Sequence, residues 1–413
     1  MHTHKNKIPL IFIIKITYLL SSSVLYAQEK YYSINNWIEI NSSQPIDKPQ
    51  YTKSPTTKAT GLNINFNKNS ITGNIAFSYN NKRNIISDGS YIQKSSENIS
   101  FGIGKIDRHW SFSNKTSLIL STNARPANTL YFKISDKKIS PNTLFSIIGP
   151  WSLEIFNGDL SNSTNPKKPM LFGMRATINP LKNLEVEFLR TSQWGGAGYN
   201  NNLSAFKSIF IGDTNSGGNK NINQMAGFGY SYILPYPLLP VKLYGQYVGE
   251  DEAGALPSCF MTLNGVEIFN DYIRYPTSLG FELVDTTIDY TQHGFCGPNT
   301  AYNNNIYPYT NYDTVIGAPI DSESISIEIF GSTKLSEVIN LKYSVKKINI
   351  NRSNSPNHRL TTINSFGTKS SVSLTWKWNK LSISTAILNQ DFKLDTANIH
   401  DGVGFSFSST MQF

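Results

Sequence analysis

Short stretches in which apolar and polar residues alternate recur along the chain from residue 62 to its end. In Leu62–Phe66 every second residue is apolar and the others are asparagines, and Ile71–Tyr79 repeats the alternation. A period of two predicts β-strands that have one apolar face and one polar or small face. The link Asn67–Ser70 has the length of a hairpin connection, so these two strands are predicted to be antiparallel neighbours.

The middle of the chain contains the clearest pair of predicted strands. The runs Ala226–Leu234 and Val241–Glu250 both alternate, and a proline-rich link between them predicts a tight turn. The polar segments 190–223 and 250–258 are therefore expected together, at the end of the sheet opposite that turn.

The same alternation predicts many further strands and a closed sheet. At roughly 20 residues per strand and connection, the chain has room for about 16 to 18 strands. Short links alternate with long irregular stretches, as expected for a transmembrane antiparallel β-barrel with brief turns on one rim and large loops on the other. Closure also removes the exposed edges that so many amphipathic strands would otherwise present. The remaining predicted strands are Ile99–Lys105, Thr116–Ser121, Leu130–Ile134, Trp151–Asn157, Phe172–Ile178, Leu184–Gln193, Ser324–Gly331, Ile339–Lys347, Ser371–Trp378 and Leu381–Ile387.

The N-terminal residues 1–27 predict a cleaved export signal. Lys5 and Lys7 precede an apolar run interrupted by Lys15, and the segment ends in Ala27. A helical membrane anchor is the alternative, but it needs about 20 uninterrupted apolar residues. Residues 28–58 are polar and contain several prolines, so they are predicted to form a periplasmic tail or a short plug before a barrel of residues 59–413.

Composition alone does not separate a soluble protein from a barrel. The hydrophobic content is 39% and the mean hydropathy is −0.29, yet a barrel with a polar lumen gives such values because only every second strand residue faces lipid. The last segment, Gly402–Phe413, alternates up to a terminal aromatic residue. It resembles the C-terminal signal strand of outer-membrane barrels, which implies outer-membrane lipid and the barrel insertion machinery as partners. A soluble β-sandwich with a similar last strand is the alternative.

Net charge and cysteine content indicate which partners and which covalent link to expect. The net charge of +9 falls to +6 if the three lysines of the signal are removed (9 − 3 = 6), a balance that favours anionic polymers or lipopolysaccharide phosphate but also fits scattered surface lysines. Cys259 and Cys296 are the only cysteines; in an exported protein they predict one disulfide, with free thiols as the alternative. No nucleic-acid partner, cofactor or metal is predicted. The scattered histidines predict no catalytic site.

Seven segments of the central region resemble the capsule assembly Wzi family. They are GPWSLEIFNGDL (149–160), LFGMRATINP (171–180), RTSQWGG (190–196), LSAF (203–206), IGDTN (211–215), NQMAGFGYSY (223–232) and LPVKLYGQYVGEDEAGALPS (239–258). The resemblance implies an outer-membrane barrel of about 18 strands that acts as a surface lectin for capsular polysaccharide and not as an enzyme. Members of the family carry a helical periplasmic segment before the barrel, for which residues 28–58 are too short and too polar.

Candidate ligand-binding residues cluster at the polar ends of the central strands. Sugar hydroxyls need planar donors and acceptors, and sugar rings need aromatic faces; Arg190 also suits a sugar carboxylate. Trp194 has an equally good interpretation as a membrane-interface residue. The candidate polysaccharide-binding residues are Arg190, Gln193, Trp194, Tyr199, Gln246, Glu250, Asp251 and Glu252.

The acidic run Glu250–Glu252 has two interpretations. Its carboxylates suit a divalent cation that bridges anionic polymer. The favoured alternative is a set of salt bridges to Arg190, Arg175 or Lys242 that fixes the shape of the barrel.

Three functions remain compatible with a barrel. A polysaccharide lectin would bind through long loops on the extracellular rim, including the region between Cys259 and Cys296, and would have a plugged lumen. A porin would conduct ions through an open lumen. An adhesin would use the Tyr- and Asn-rich stretch Thr300–Thr314. The barrel itself does not decide among them.

Overall fold

The computed structural model describes residues 32–42, 57–80, 85–137, 146–162, 166–211, 222–235, 240–253, 256–270, 274–288 and 296–413. The predicted signal 1–27 lies outside these residues. Apart from one short helix, Leu203–Ile211, the regular elements are β-strands. They are β1 Tyr32–Asn41, β2 Thr57–Lys68, β3 Ile71–Asn80, β4 Ile85–Ile86, β5 Tyr91–Ser95, β6 Ile99–Gly104, β7 Asn128–Asp136, β8 Trp151–Asp159, β9 Met170–Leu181, β10 Leu184–Trp194, β11 Asn223–Leu234, β12 Val241–Ala253, β13 Leu256–Asn270, β14 Thr277–Asp285, β15 Thr310–Asn311, β16 Thr314–Val315, β17 Ile325–Lys334, β18 Ile339–Ile350, β19 Ser365–Trp378, β20 Leu381–Gln390 and β21 Gly402–Gln412.

The strands form one closed antiparallel barrel of eighteen strand positions, which confirms the predicted fold. Each strand pairs with its neighbours in the chain, and β1 closes the sheet by pairing with both β2 and β21. The short strands β4 and β5 share one position, because both pair with β3. The hairpin β15–β16 stands apart from the barrel wall.

The two faces of the wall differ as the alternation predicts. Side chains such as Phe77, Phe101, Ile329 and Phe405 point outward and are about half exposed, which gives the wall the apolar outer surface of a membrane barrel. Residues of the opposite parity face the lumen and are mostly polar or small. Among the residues that the structure describes, no helix is long and apolar enough to cross a membrane.

The two rims of the barrel are unlike. On one, here the turn rim, connections are short, such as Asn69–Ser70 and Asn379–Lys380, where Asn69, Ser70 and Asn379 have positive φ. The start of β1 and the end of β21 also lie there, since Asn35 pairs with Gln412. The other, the loop rim, carries the long connections. Outer-membrane barrels have short periplasmic turns and longer extracellular loops, so the loop rim faces outward from the cell.

Two of the long connections fold back into the lumen. The first plug loop, residues 105–127, joins β6 to β7, and the second plug loop, described at residues 286–288 and 296–324, lies between β14 and β17. Their apolar side chains form one core with those of the inner wall; Leu118 and Ile119 of the first loop and Val248 and Met261 of the wall are fully buried. Burial of each such side chain contributes roughly 1.5–3 kcal/mol. The lumen is therefore filled where the plug loops meet β12 and β13.

Two predictions about the chain are corrected by the structure, and one element was not predicted. Tyr32–Asn41, placed within a periplasmic tail or plug, is a barrel strand that pairs with β2 over its whole length and with β21 from Asn35 to Asn41. Its pattern was hard to detect because Trp37 faces the lumen and Asn36 the outer wall. Thr116–Ser121 is not a strand; its alternation is accidental, since successive residues Leu118, Ile119 and Leu120 are all buried in the first plug loop. The helix Leu203–Ile211 was not predicted.

Candidate functional site

The first plug loop is held to the wall by a glutamine of β12. The side chain of Gln246 accepts a hydrogen bond from the backbone N–H of Leu118 (2.7 Å) and donates to the carbonyl of Trp110 and to Glu187 of β10 (3.0 Å). Glu187 in turn pairs with Arg175 of β9 (2.7 Å). Since Gln246 and Glu187 are completely buried, each of these bonds satisfies a group that water cannot reach.

Buried charges complete the attachment of the first plug loop. Glu328 of β17 binds Lys346 of the next strand (2.9 Å) and Lys115 of the loop (2.7 Å). Glu282 of β14 accepts hydrogen bonds from Tyr244 (3.0 Å) and from the hydroxyl of Ser113 in the loop. A buried ion pair adds little net stability, but removal of one partner is strongly destabilising. The wall and the loop are therefore coupled.

The second plug loop rests on the first and is tied to the wall. The hydroxyls of Tyr302 and Tyr309 donate to the carbonyls of Leu118 and Ile119, each at 2.7 Å. A disulfide joins Cys296 of the loop to Cys259 of β13, with Cα atoms 6.0 Å apart. The tyrosine-rich stretch Thr300–Thr314 is thus mostly lumen packing, which leaves little of it for the adhesive role considered from the sequence.

Two of the predicted ligand-binding residues belong to this plug attachment. Gln193 of β10 is completely buried; it donates to the carbonyl of Pro308 (2.9 Å) and accepts from Asn223 (3.0 Å). Gln246 holds the first plug loop as described above. Neither side chain can reach a polymer outside the barrel unless the plug moves.

Two other predicted residues lie on the outer wall, under the helix Leu203–Ile211. Trp194 is 4% exposed, packs against Phe206 of the helix and donates its indole N–H to Asn157 (3.0 Å). Arg190 donates to Gln224 (3.0 Å) and to the carbonyl of Ile209 in the last turn of the helix (2.6 Å). Both residues fix the helix to the wall.

The last four predicted residues are less constrained. Tyr199 is half-buried beside Tyr307, at 5.6 Å between ring centroids. Glu250 is buried on the luminal face of β12, where its charge acts on Arg359 and Tyr302. Asp251 and Glu252 continue the strand, paired with Ser258 and Pro257, and their side chains lie outside the described part.

Two of the basic residues considered as partners of the acidic run lie beside other carboxylates. Arg175 pairs with Glu187, and Lys242 lies 3.8 Å from Glu267. In the described ranges no cluster of three or more His, Cys, Asp or Glu residues is arranged to hold a metal ion.

Another polar surface lies on the loop rim, at the tip of the hairpin β15–β16. The hairpin β15–β16 turns at Tyr312 and Asp313, both with positive φ (50° and 58°). The backbone N–H of Asp313 donates to Asn162 (3.1 Å), and the ring of Tyr312 lies 3.9 Å from the guanidinium of Arg125. The tip of the second plug loop is thereby fixed at the outer surface, with Asp313 exposed.

Beside this tip lies a polar groove, here the rim groove. It consists of two adjoining cavities of about 270 and about 380 Å³ that share Asp313, Arg359 and Thr396. Its walls come from the hairpin tip, from the β18–β19 connection (351–364) and from the β20–β21 connection (391–401). Exposed side chains at its edge are Asn357, Thr362, Thr396 and Asn398.

An ion pair holds the groove together. Arg359 makes two hydrogen bonds to the carboxylate of Asp321 in the second plug loop and a third to Asn303 (2.7 Å). Burial raises the pKa of Asp321, but the adjacent Arg359 guanidinium outweighs it, so the net pKa lies below its ordinary value. The pKa of Asp395 is also lowered, chiefly by the hydroxyl of Thr362, which donates to it at 2.6 Å.

The groove offers chemistry suited to a neutral or weakly charged polymer. Amide, hydroxyl and carboxylate groups line it, and these groups match the hydroxyls of sugars; Tyr312, half-buried next to Asp313, is the neighbouring aromatic residue. These residues were missed because they come from three distant connections that only the closed barrel brings together. The Asn- and Thr-rich composition of those connections was the one available signal.

Comparison with known proteins agrees with this architecture. Residues 15–393 match the family model described as "Capsule assembly protein Wzi", so the family predicted from residues 149–258 is confirmed over most of the chain. An "Uncharacterized 55.8 kDa protein in cps region" of Klebsiella pneumoniae is 34% identical over 166 residues. That match spans 40% of this chain and only 33% of the relative.

Solved structures show the same fold. Wzi of Escherichia coli, described as an outer membrane protein involved in group 1 capsule assembly and as a carbohydrate-binding β-barrel, superimposes with a TM-score of 0.78 over 99% of this chain and 90% of its own, at 19% identity. OccAB4 of Acinetobacter baumannii gives a TM-score of 0.51 over 92% and 97% of the two chains, at 8% identity. At these identities the likeness concerns the fold.

Proposed function

This chain belongs to the capsule assembly Wzi family, and from that membership and the shape of its loop rim we propose that it binds capsular or related surface polysaccharide and holds it at the outer membrane. The observation that carries the proposal is the rim groove, which opens on the outer face. It presents hydroxyl, amide and charged groups beside an aromatic residue, Tyr312. The carbohydrate binding described for the Escherichia coli relative supports the same assignment.

The groove suits retention better than transport. Its base is the second plug loop, which is bonded to the first plug loop and joined to the wall by Cys259–Cys296. A polymer bound there lies across the outer opening and does not enter the lumen. The porin-like alternative requires the plug to leave, which would break the bonds of Gln246 and the ion pairs of Glu328.

Retention needs no chemical step, and we propose that the protein is not an enzyme. The two described histidines near the plug serve as hydrogen-bonding groups: Nε2 of His109 lies 2.8 Å from the carbonyl of Ser113, and Nε2 of His358 lies 3.0 Å from that of Ser322. The backbone N–H of Leu360 also donates to Nδ1 of His358 (3.2 Å), so both ring nitrogens of His358 are engaged. The pKa of His109 is lowered by burial, which favours its neutral form.

The binding site is tested by two groove variants with a matched control. Tyr312→Ala and Asn357→Ala are introduced in the producing strain, with Lys380→Ala in the turn rim as the control, and cell-bound and released polysaccharide are measured separately. The groove variants are expected to release polymer into the medium at unchanged total synthesis, whereas the control retains it. Retention equal to wild type in a full deletion strain would overturn the proposed function; retention lost only in the deletion would move the site away from the groove.

Variants of two residues predicted from the sequence provide an independent test of where the polymer binds. Arg190→Ala and Trp194→Ala act on the outer wall and not on the groove, so they are expected to retain polymer while heat-resistant migration of the barrel is preserved. Loss of polymer in these two variants, with the groove variants intact, would favour the site predicted from sequence.

A further inference from the structure

The helix Leu203–Ile211 lies on the outside of the barrel wall, at the loop rim. Its buried face, Ala205 and Ile209, packs on Phe172 and Trp194, which are outward residues of β9 and β10. Phe206 and Phe210 contact the ring of Phe172 edge-on, at 6.0 and 6.2 Å between centroids. The helix is therefore a fixed part of the outer surface.

Hydrogen bonds at both ends hold the helix in place. The amide oxygen of Asn202 accepts from the backbone N–H of Ala205 (2.9 Å), an N-cap contact. At the other end, Arg190 donates to the carbonyl of Ile209 (2.6 Å), which satisfies a carbonyl that has no partner within the helix. This arginine places a positive charge at the C-terminus, where the helix dipole favours it.

The other face of the helix is apolar and exposed. Leu203 is 82% exposed and Phe210 is 49% exposed; with Lys207 they lie at spacings of four and three residues, on one side of the helix. An exposed apolar pair on a rigid helix indicates contact with an apolar environment or a partner.

The position of the helix identifies that environment. Directly toward the turn rim, the outward residues Phe188 of β10 and Phe228 of β11 belong to the apolar outer wall, 52% and 43% exposed. Arg190 and Gln224, which anchor the helix, follow two and four residues further along those strands toward the loop rim. The exposed face of the helix thus continues the apolar outer wall toward the loop rim.

The charge of the helix fits anionic headgroups. Its sequence, LSAFKSIFI, has one lysine and no acidic residue. Exposed Lys168 lies in the β8–β9 connection, which is fixed to the β10–β11 connection by a hydrogen bond from Ala197 to the carbonyl of Lys167 (2.9 Å). In the part of the chain that the structure describes, an acidic residue on the neighbouring outer wall is Asp159, at the end of β8.

We propose that the helix Leu203–Ile211 is an interfacial membrane element that inserts Leu203 and Phe210 into the outer leaflet and binds the phosphate groups of its glycolipids through Lys207. A helix of this kind lies in the plane of the interface, with its apolar side chains among the acyl chains and its basic side chains at the headgroups. It fixes the height of the loop rim above the membrane, and therefore the height at which the rim groove meets polymer. The proposal concerns lipid alone and does not depend on the groove.

The test measures amide hydrogen exchange of the peptide 203–211 in the full chain. Wild type, Lys207→Gln and the control Lys380→Gln are reconstituted in phosphatidylcholine vesicles with and without diphosphorylated lipid A. Wild type and the control are expected to exchange about fivefold more slowly when lipid A is present, since a basic residue near an anionic surface gains about 1 kcal/mol. Lys207→Gln is expected to lose most of that difference.

Further variants and controls distinguish lipid binding from binding of free phosphate and from contact with a second copy. Leu203→Ser with Phe210→Ser is expected to speed exchange in both vesicle types, whereas Ser204→Ala, on another side of the helix, is not. Equal exchange with and without lipid A in the wild type would overturn the proposal, as would equal protection by inorganic phosphate added to phosphatidylcholine vesicles. Protection that depends on protein density in the vesicle would also overturn it, in favour of contact with a second copy. Heat-resistant migration shows that each variant is folded.

Discussion

The two sides of the lumen are built from different side chains. From β10 to β18 the luminal residues include large or charged groups, among them Glu187, Gln246, Glu282 and Glu328, which are completely or nearly completely buried. From β19 through β21 to β3 they are mostly serine, threonine and asparagine, and most are only half-buried. We term these the plug wall and the hydroxyl wall.

Hydrogen bonds on the two walls run in different directions. On the plug wall, side chains such as Gln246 bond to a plug loop as well as to another strand. Those of the hydroxyl wall join neighbouring strands, as for Thr375 and Ser384 (3.1 Å). Long polar side chains reach across space, whereas hydroxyls reach only the adjacent strand.

The difference shows that an alternating polar face can serve two purposes. On the plug wall, the polar face is half of an interior, and its charges are paired as in a protein core. On the hydroxyl wall, it is a wetted surface that needs no partner from the plug. Stability and lumen closure are therefore expected to depend mainly on the plug wall.

Removal of a buried charge partner on the plug wall should have the largest effect. Lys346→Met leaves Glu328 buried with only Lys115 as a partner, and loss of one member of a buried pair costs roughly 3–5 kcal/mol. Lys342→Met, on the same face of β18 but exposed, is the matched control. The temperature at which the barrel loses its heat-resistant gel mobility should fall clearly in the first variant and little in the second. Equal shifts would contradict the assignment of the plug wall as the stabilising side.

Removal of the disulfide should come next. Cys259→Ser with Cys296→Ser opens a covalent loop with a sequence separation of 37, for which the loss of chain constraint is worth roughly 2–4 kcal/mol. Because the bond joins the second plug loop to the wall, planar-bilayer recordings should show brief openings that the wild type lacks. A silent variant with unchanged thermal stability would indicate that the hydrogen bonds of Tyr302 and Tyr309 are sufficient.

Acid should weaken the ion pair between Asp321 of the second plug loop and Arg359 of the β18–β19 connection before it unfolds the barrel. Asp321 has a pKa below its ordinary value of 3.8 because of Arg359, so its contribution is present above that value and is lost as the pH falls through the lower folded pKa. The difference in thermal stability between wild type and Asp321→Asn should be constant from pH 7 to pH 5 and shrink below about pH 4. A difference that grows on acidification would exclude the ion pair as its source.

The sequence was sufficient to predict the barrel wall but not the loops that fill the lumen. Alternation predicted most strands, and the predicted antiparallel pairing across the link Asn67–Ser70 was confirmed, because in a membrane barrel the period of two is imposed by lipid on one face. β1 was missed because Trp37 on the luminal face obscures the alternation. No local rule predicts that residues 105–127, 286–288 and 296–324 fold inward, since contacts such as Leu118–Gln246, Ser113–Glu282 and Tyr302–Leu118 join positions more than a hundred residues apart.

The candidate site shows the same limit. Arg190, Gln193 and Trp194 have side chains that suit sugars, but their burial and partners depend on a helix and a plug loop that pattern does not reveal. The rim groove, in contrast, is assembled from Asp313, Arg359 and Thr396, each unremarkable in its own segment. Residue type predicted the chemistry of the surface, whereas only the closed barrel determined which residues are available for it.

The smallest effect is expected on the hydroxyl wall, and it is compared with a substitution on the plug wall. Ser373→Ala removes a half-exposed luminal hydroxyl that faces Ala386 on the next strand, so the free energy of unfolding should change by less than about 0.5 kcal/mol. Gln246→Ala is the corresponding change on the plug wall and should cost roughly 1–3 kcal/mol or more, because the N–H of Leu118 and the carbonyl of Trp110 are left buried without that partner. If the two substitutions lowered thermal stability equally, the hydroxyl wall would have to contact the plug in solution, and the division of the lumen into two walls would fail.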